Sequence, residues 1–411
     1  MKPEIKAERL LGRLQALAQI GRTDTGACCR LALTDADKAG RDQVSAWMRE
    51  LGLAVHVDPI GNVFGVRAGR RPELPPVMSG SHIDTVRTGG AYDGNYGVLG
   101  ALEVVASLNE AGIETERSLV VAFFTDEEGA RFAPDMLGSL VFVGGMALDA
   151  ALAVRAIDGA ILGEELRRIG YAGDAPLGLP VPGAFIELHI EQGPVLDIEG
   201  VTIGAVENLQ GISWQEITVT GQSNHAGTTP MRMRHDAGYA AAAVACFVRQ
   251  LAHEMGGTQV ATVGKVDLVP NLVNVIAARA TFTVDLRNTD EARLQQAEQR
   301  LADYLAQLAA DEGVKIETRR LARFEPVSFD ARIAERIERT AAGLGYSHRR
   351  MTSGAGHDAQ MLARVCPTAM IFVPSVGGVS HNPAEHTEPA DLVAGASVLL
   401  HTLLDLANNG V

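Results

Sequence analysis

At 411 residues the chain is too long for one simple hydrophobic core, so two domains are expected. Hydrophobic residues make up 46% and charged residues 21%, and a net charge of −14 with no basic block argues against nucleic acid or an anionic membrane as partner. Four cysteines, Cys28, Cys29, Cys246 and Cys366, form neither a disulfide framework nor a CxxC metal knuckle, and they fit a reducing cytoplasm.

The opening stretch MKPEIKAERLLGRLQALAQIG spreads its charges among apolar residues at helical spacing, which predicts an amphipathic helix over 5–20 and not a signal peptide. No apolar run approaches the ~20 residues that cross a bilayer, so a cytoplasmic protein without a membrane partner is expected. A second helix is predicted over 35–51, with Thr34 or Asp35 as its cap. Residues 53–57 and 62–67 alternate like two strands around the Asp58-Pro59-Ile60-Gly61 turn. A short apolar strand over 76–81 runs into Gly80-Ser81-His82-Ile83-Asp84-Thr85, followed by the glycine-rich Gly89-Gly90-Ala91-Tyr92-Asp93-Gly94 and a buried helix over 96–109.

The next strand is the most telling. Its apolar run, Val120-Val121-Ala122-Phe123-Phe124, stops at Thr125-Asp126-Glu127-Glu128-Gly129. Such runs read as central strands covered on both faces, and ligands of open α/β sheets bind at their carboxyl ends. Successive strand side chains point to opposite sides, so Glu127 and Glu128 are expected to do different jobs. Judged alone, the stretch is an acidic turn after a strand. From 129 to 182 the pattern loosens, and 184–190 forms another strand, ending in His189-Ile190-Glu191-Gln192-Gly193.

A composition break near 210–211 introduces strand (212–220), helix (235–254), strand (259–268), strand (278–287), helix (291–312) and strand (314–321). This βαββαβ order is the ferredoxin-like split motif. A helix over 330–343, the Gly354-Ala355-Gly356-His357-Asp358 loop, a strand over 368–373, a polar segment at 380–388 and a final helix then resume the earlier style. The expected fold is α/β: a catalytic domain with a mostly parallel sheet and flanking helices (1–210 and 325–411), interrupted by a ferredoxin-like α+β domain (211–324).

Polar groups recur just after the apolar strands: His82 and Asp84, Asp93, Glu127 and Glu128, His189 with Glu191 and Gln192, and His381 or His386. Imidazole plus carboxylate without cysteine is a ligand set for Zn²⁺, Mn²⁺, Co²⁺ or Ni²⁺. Any one of these histidines alone is more often structural, but agreement at five strand ends is hard to obtain by chance. A dinuclear hydrolytic centre would activate water and clamp a developing oxyanion. In the His82-x-Asp84 pair the carboxylate is expected to fix the other nitrogen of a metal-bound imidazole. Serine-nucleophile elbows and P-loops are absent, and the glycines at 89, 90 and 94 do not match a dinucleotide fingerprint.

The segments GSHIDTVRTGGAYDGNYGVLGALEVV, FTDEEGARF, ELHIEQGPVL, SNHAGTTPM, PNLVNV, DLRN, SGAGHDAQML and GGVSHNPAEH resemble the amidase, hydantoinase/carbamoylase family of the metal-dependent aminoacylase and carboxypeptidase superfamily. The resemblance spans about residues 7 to 405. It implies two divalent ions per subunit, one held by His82, Asp93 and His189 and the other by Asp93, Glu128 and a late histidine. Spacing does not choose between His381 and His386; the family's Ser-His motif points to His381. It further implies that Glu127 is the general base working on the metal-bridging water, with Asp84 in support. Gln192, Asn274, Arg287 and the backbone at Gly356 would bind substrate, the arginine by a bidentate grip on a carboxylate. His225 would reach across a homodimer to stabilise the oxyanion, and the inserted domain would serve as lid and dimer surface.

The expected reaction is hydrolysis of the ureido C–N bond of an N-carbamoyl-L-amino acid to the amino acid, ammonia and carbon dioxide. Allantoate, or another ureido acid such as N-carbamoyl-β-alanine, is the nearest rival substrate. A dinuclear dipeptidase or deacylase is disfavoured by His189, where the superfamily's peptidases usually have Asp, and by Gln192. A non-catalytic binding protein would be expected to have lost a ligand or Glu127, and none is missing.

Overall fold

The structure, a computed structural model, describes residues 3–411. It divides into two compact units: the described residues up to Glu207 together with Ser328–Val411, and the intervening Asn208–Val327.

In the larger unit α1 (Ala7–Gln19) buries Leu10, Leu14 and Leu17, one stripe of an amphipathic helix. Helix α2 (Asp35–Glu50) is capped by Thr34, whose Oγ1 accepts the Asp37 N–H at 3.3 Å. Then come β1 (Ala54–Val57), β2 (Val63–Arg67), β3 (Val77–His82), α3 (Asn95–Ala111) and β4 (Leu119–Phe124). The loosely patterned stretch contains only short helices, α4 (Leu137–Phe142), α5 (Leu148–Leu152) and α6 (Leu162–Ile169), ahead of β5 (Ala184–Ile190), α7 (Val195–Glu199) and β6 (Ile203–Leu209). The smaller unit holds β7 (Gly211–Thr220), α8 (Ala237–Met255), β8 (Val260–Val269), β9 (Arg279–Asn288), α9 (Glu291–Glu312) and β10 (Lys315–Phe324). After it follow β11 (Val327–Ser328), α10 (Ala331–Gly343), β12 (His348–Ser353), α11 (Asp358–Leu362), β13 (Thr368–Val373) and α12 (Pro389–Asn409).

The large sheet runs β1-β2-β4-β3-β5-β13-β6-β11, with β12 added beside β6. Its centre, β4-β3-β5-β13, is parallel. Every residue of these four strands is buried, as expected for strands covered on both faces. Antiparallel strands complete the flanks, β2 against β4 and β6 against β13. Strand β6 was not anticipated in the sequence; it is defined by pairing with β13, β11 and β12, long-range contacts without local signature. Because the four central strands are parallel, their carboxyl ends lie along one edge, and His82, the acids after Phe124, and His189 reach that edge together.

Helix α12 corrects one expectation. Its most apolar 18 residues have a mean hydropathy of 1.5, and by length and composition it is long enough to cross a bilayer. It is a core helix: Leu399, Leu403 and Leu406 are buried, and Tyr96 Oη donates to the Leu392 carbonyl at 2.7 Å.

In the smaller unit an antiparallel sheet, β10-β7-β9-β8, is covered on one face by α8 and α9. Strand β9 alternates with period two, burying Ala280, Phe282, Val284 and Leu286 towards the helices. Between the helices, Phe247 and Tyr304 stack at 3.9 Å.

Gly80 is paired with Ala122 in the β3–β4 register, and a Cβ there would fall 1.9 Å from the Ala122 carbonyl oxygen. The neighbour is backbone and cannot swing away. Gly80→Ala should therefore lower stability by about 1–3 kcal/mol or more, read as a lower urea midpoint; an unchanged midpoint would contradict this packing.

Candidate metal centre

Asp93, itself buried, lies at the middle of a cluster that is buried on the His82–His189 side and open at His381. Its Oδ1 is 3.2 Å from His189 Nε2 and 3.6 Å from His82 Nε2, while its Oδ2 is 3.2 Å from His381 Nε2. His381 Nε2 is also 3.3 Å from Glu128 Oε2, and Glu127 Oε2 stands 3.4 Å from His82 Nε2. Two triads, His82–Asp93–His189 and Asp93–Glu128–His381, thus share Asp93, with the ligand atoms of each within 4.8 Å of one another.

The hydrogen bonds behind the rings define what faces inward. His82 Nδ1 lies 2.9 Å from the Asp84 carbonyl and His189 Nδ1 lies 2.8 Å from the Ile190 carbonyl, so both Nδ1 atoms must donate. At His189 the Gly94 N–H also donates into Nε2 at 3.1 Å, which assigns that nitrogen as an acceptor. Gly94 makes this approach possible: φ is +64°, and a Cβ would lie 2.4 Å from the His82 ring. Neutral imidazoles held this way point lone pairs at carboxylate oxygens. Acceptor facing acceptor, buried, calls for a cation between them, and the oxygen and nitrogen donor set fits a divalent metal ion.

The same conflict perturbs the ionisable groups. Burial opposes charging of His82, yet Glu127, Asp93 and Asp84 hold its pKa well above the ordinary imidazole value. Contact with Asp93 raises His381 to about 9. Burial, then repulsion from Asp93, raises Glu128 to about 8. Glu127 is pushed well above the carboxylate range, first by burial, with His82 opposing and Asp358 and Glu128 adding to the rise. Asp93 goes the other way despite burial, because His189, His381 and His82 all favour its charged form.

Of the other predicted residues in this unit, Gln192 is bonded directly to the cluster. Gln192 Nε2 donates to Asp93 Oδ2 at 2.9 Å, and its Oε1 is buried without a hydrogen-bond partner. Gly356 is half-buried on the loop before α11. His386 is turned away, with Nε2 3.5 Å from Glu388 Oε1. Glu191 caps α7, accepting the N–H groups of Val195 and Leu196 at 2.8 and 2.7 Å.

Asp84 departs from expectation. Its carboxylate is 4.0 Å from His82 Nδ1, which is held by the residue's own carbonyl. The carboxylate instead accepts the N–H groups of Glu127 and Glu128, both at 3.3 Å. The turn after β3 brings the carbonyl to the ring, so the side chain is left to hold the acidic loop.

Glu385 was not singled out in the sequence. Buried, it accepts the N–H groups of Tyr92 and Asp93 at 2.9 and 3.2 Å and the Ser380 hydroxyl at 3.1 Å, and burial raises its pKa to about 7. Glu187 accepts Ser81 Oγ at 2.5 Å and the Ala359 N–H at 2.8 Å, tying β5 to β3 and α11. With His189 and His357 it forms a third group of metal-ligand type, but its oxygens are already used and His357 Nε2 is 3.1 Å from Ser353 Oγ. The only signal for either glutamate was its place in a segment rich in site residues.

In the smaller unit His225 and Asn274 lie together: His225 bridges to Val275, and the Ala226 N–H donates to the Asn274 carbonyl at 2.9 Å. Arg287 is engaged by Asp285 two residues back on the same strand face, at 2.9–3.1 Å, and stands 5.8 Å from the Trp214 ring centroid. Asn288 is buried and donates to Gln259 Oε1 at 2.8 Å, a structural bond.

The family model for peptidase family M20/M25/M40 matches residues 78–405. An N-carbamoyl-L-amino-acid amidohydrolase of Rhizobium meliloti is 43% identical over 403 residues, 98% of this chain and 97% of the relative. The allantoate amidohydrolase of Escherichia coli strain K12 is 36% identical over 394 residues, covering 95% and 96%. A crystal structure of an amidase of the hydantoinase/carbamoylase family from Burkholderia multivorans superposes with a TM-score of 0.96 at 48% identity, covering 100% of both chains. The chain therefore belongs to the M20/M25/M40 peptidase family of metal-dependent enzymes, as a hydrolase of its hydantoinase/carbamoylase amidase branch.

Proposed function

We propose that the chain hydrolyses the ureido C–N bond of an N-carbamoyl-L-amino acid. With one water consumed, the products are the free amino acid, carbon dioxide and ammonia. The observation that carries this reading is the pair of triads sharing Asp93, with Glu127 beside them. The Rhizobium meliloti relative's name supports the substrate class.

His82 and His189 would hold one ion, Glu128 and His381 the other, and Asp93 both. Two divalent cations per subunit, Zn²⁺ or Mn²⁺ with Co²⁺ and Ni²⁺ as alternatives, would lower the pKa of water and polarise the ureido oxygen. Glu127 takes the proton of the attacking water and passes it to the leaving nitrogen; burial, which raises its pKa, suits both steps. Asp84 keeps the Glu127–Glu128 backbone in place through its two amide bonds. Gln192, oriented by Asp93, offers Oε1 as an acceptor for ureido N–H groups. The Gly356 backbone and Asn274 complete the substrate's polar contacts. Arg287 grips the carboxylate, trading or sharing its bond to Asp285.

We assign the smaller unit the role of lid and dimer surface, with His225 donated to the partner copy's substrate in a homodimer. Met231, Met233, Leu272 and Val273 support this: they are exposed apolar side chains on segments bonded to the His225 loop. A cytoplasmic setting fits four free cysteines. Allantoate is the second reading, favoured by the Escherichia coli relative.

An ammonia-release assay on N-carbamoyl-L- and D-amino acids, N-carbamoyl-β-alanine, allantoate and an N-acyl amino acid, each with Mn²⁺, Zn²⁺, Co²⁺ or Ni²⁺, tests the substrate. Highest kcat/KM on an N-carbamoyl-L-amino acid is expected; preference for allantoate would move the assignment to the second reading.

Mixing two inactive variants tests the partner. Glu127→Gln should lose about 10²–10⁴-fold in kcat with its metal content intact, and His225→Ala about 10²–10³-fold. If His225 acts across the dimer, a mixed dimer regains one working site. No recovery in verified mixed dimers would place His225 in cis.

A further inference from the structure

We infer that Arg234 is a positioning residue that holds the His225 imidazole in its Nε2–H tautomer, ready to donate. This rests on the reading above that His225 acts on substrate. An exposed loop histidine ordinarily samples several rotamers and both neutral tautomers. Here the ring is tied from behind. Its Nδ1 accepts the backbone N–H of Gly227 at 3.1 Å and that of Thr228 at 3.3 Å. A backbone N–H can only donate, so Nδ1 must present its lone pair and the proton of the neutral ring sits on Nε2. A donor at Nε2 is what a developing oxyanion requires.

The two amides are presented by one tight turn. Thr229 closes it, donating both its N–H and its hydroxyl to the His225 carbonyl, at 3.2 and 2.9 Å. Arg234 then spans the turn: Nη2 donates to the Ala226 carbonyl at 2.6 Å and Nε to the Thr229 carbonyl at 3.1 Å. The Ala226 carbonyl shares its peptide plane with the Gly227 amide, so the bond from Nη2 sets the direction of that amide; the bond from Nε to the Thr229 carbonyl pins the far end of the turn, so the Gly227–Thr228 stretch that carries the second amide is held between two fixed points. On the opposite side the turn is fastened to the strand-like 274–276 segment, by Ala226 N–H to the Asn274 carbonyl and Ile276 N–H to the Asn224 carbonyl, both at 2.9 Å. Lysine would keep the charge but not the two fixed, diverging donors, so the position is specific for arginine.

The test uses full-length protein labelled with ¹⁵N-histidine, with the His225 ring signals identified by their loss in His225→Ala. Long-range ¹H–¹⁵N spectra should show a single Nε2–H tautomer in the wild type and tautomer averaging in Arg234→Ala. In turnover assays kcat should fall by about 100-fold, the scale of a displaced reacting group, with KM little changed. Arg234→Lys should fall between the two; it also carries the same readouts should Arg234→Ala fail to fold. Wild-type His225 spectra and wild-type kcat in a folded Arg234 variant would overturn the proposal. Full activity in His225→Ala, with the tautomer still released in Arg234→Ala, would instead overturn the role of His225 and leave the brace standing.

Discussion

Around Asp93, hydrogen-bond acceptors are forced to face one another, with His82, His189 and Asp93 buried and only His381 on the open side. The Asp84 and Ile190 carbonyls take the Nδ1 protons of His82 and His189, and the Gly94 amide occupies part of His189 Nε2. What remains is lone pairs aimed at carboxylate oxygens. Asp93 and Glu128 are within 4.8 Å of each other, where two full negative charges at an effective dielectric of about 20 repel by about 3–4 kcal/mol. Either protons or metal ions must offset this; without a metal, the carboxylates hold the His82 and His381 imidazoles above their ordinary pKa. A hydrolase of a metal-dependent family has evident use for the second.

The fold makes this arrangement by bringing strand ends together. His82 is the last residue of β3, His189 lies one residue before the end of β5, and the Glu127–Glu128 pair follows β4. These strands are parallel neighbours, so their ends form one rim. Loops supply the rest, and each loop has its own anchor. Glu385 holds the backbone of Tyr92 and Asp93, and Asp84 holds the backbone of Glu127 and Glu128. Buried carboxylates thus serve two separate purposes at this rim, some facing the reacting centre and others fastening the chain that carries them.

Much of this was legible in the sequence, for a physical reason. Apolar runs that stop at His, Asp or Glu announce buried strands with polar ends, and the βαββαβ order announces the small sheet with its two helices. The late ligand needed tertiary structure: His381 and His386 stand five residues apart on one loop, and only the folded loop directs His381 to Asp93 and Glu128. The role of Asp84 differs from the expectation because spacing tells which residues are near, not which atom of a residue reaches a ring. Glu385 leaves no trace in the sequence because a buried carboxylate in an irregular segment has no periodicity to reveal its burial. Strand β6 depends on distant pairing with β13, and α12 carries enough polar residues to hide how apolar its length is. The Arg287–Asp285 pair, by contrast, follows from period-two alternation on β9 and could have been foreseen.

The central claim is that Asp93 is a shared ligand between two cation positions. Crystals grown with Mn²⁺ and measured for anomalous scattering test it most directly. Two peaks are expected, both within ~2.0–2.2 Å of Asp93 oxygens, one also bonded by His82 and His189 and the other by Glu128 and His381. Full-occupancy Mn²⁺ elsewhere in the chain, or a fully metallated active enzyme with no peak at Asp93, would contradict it.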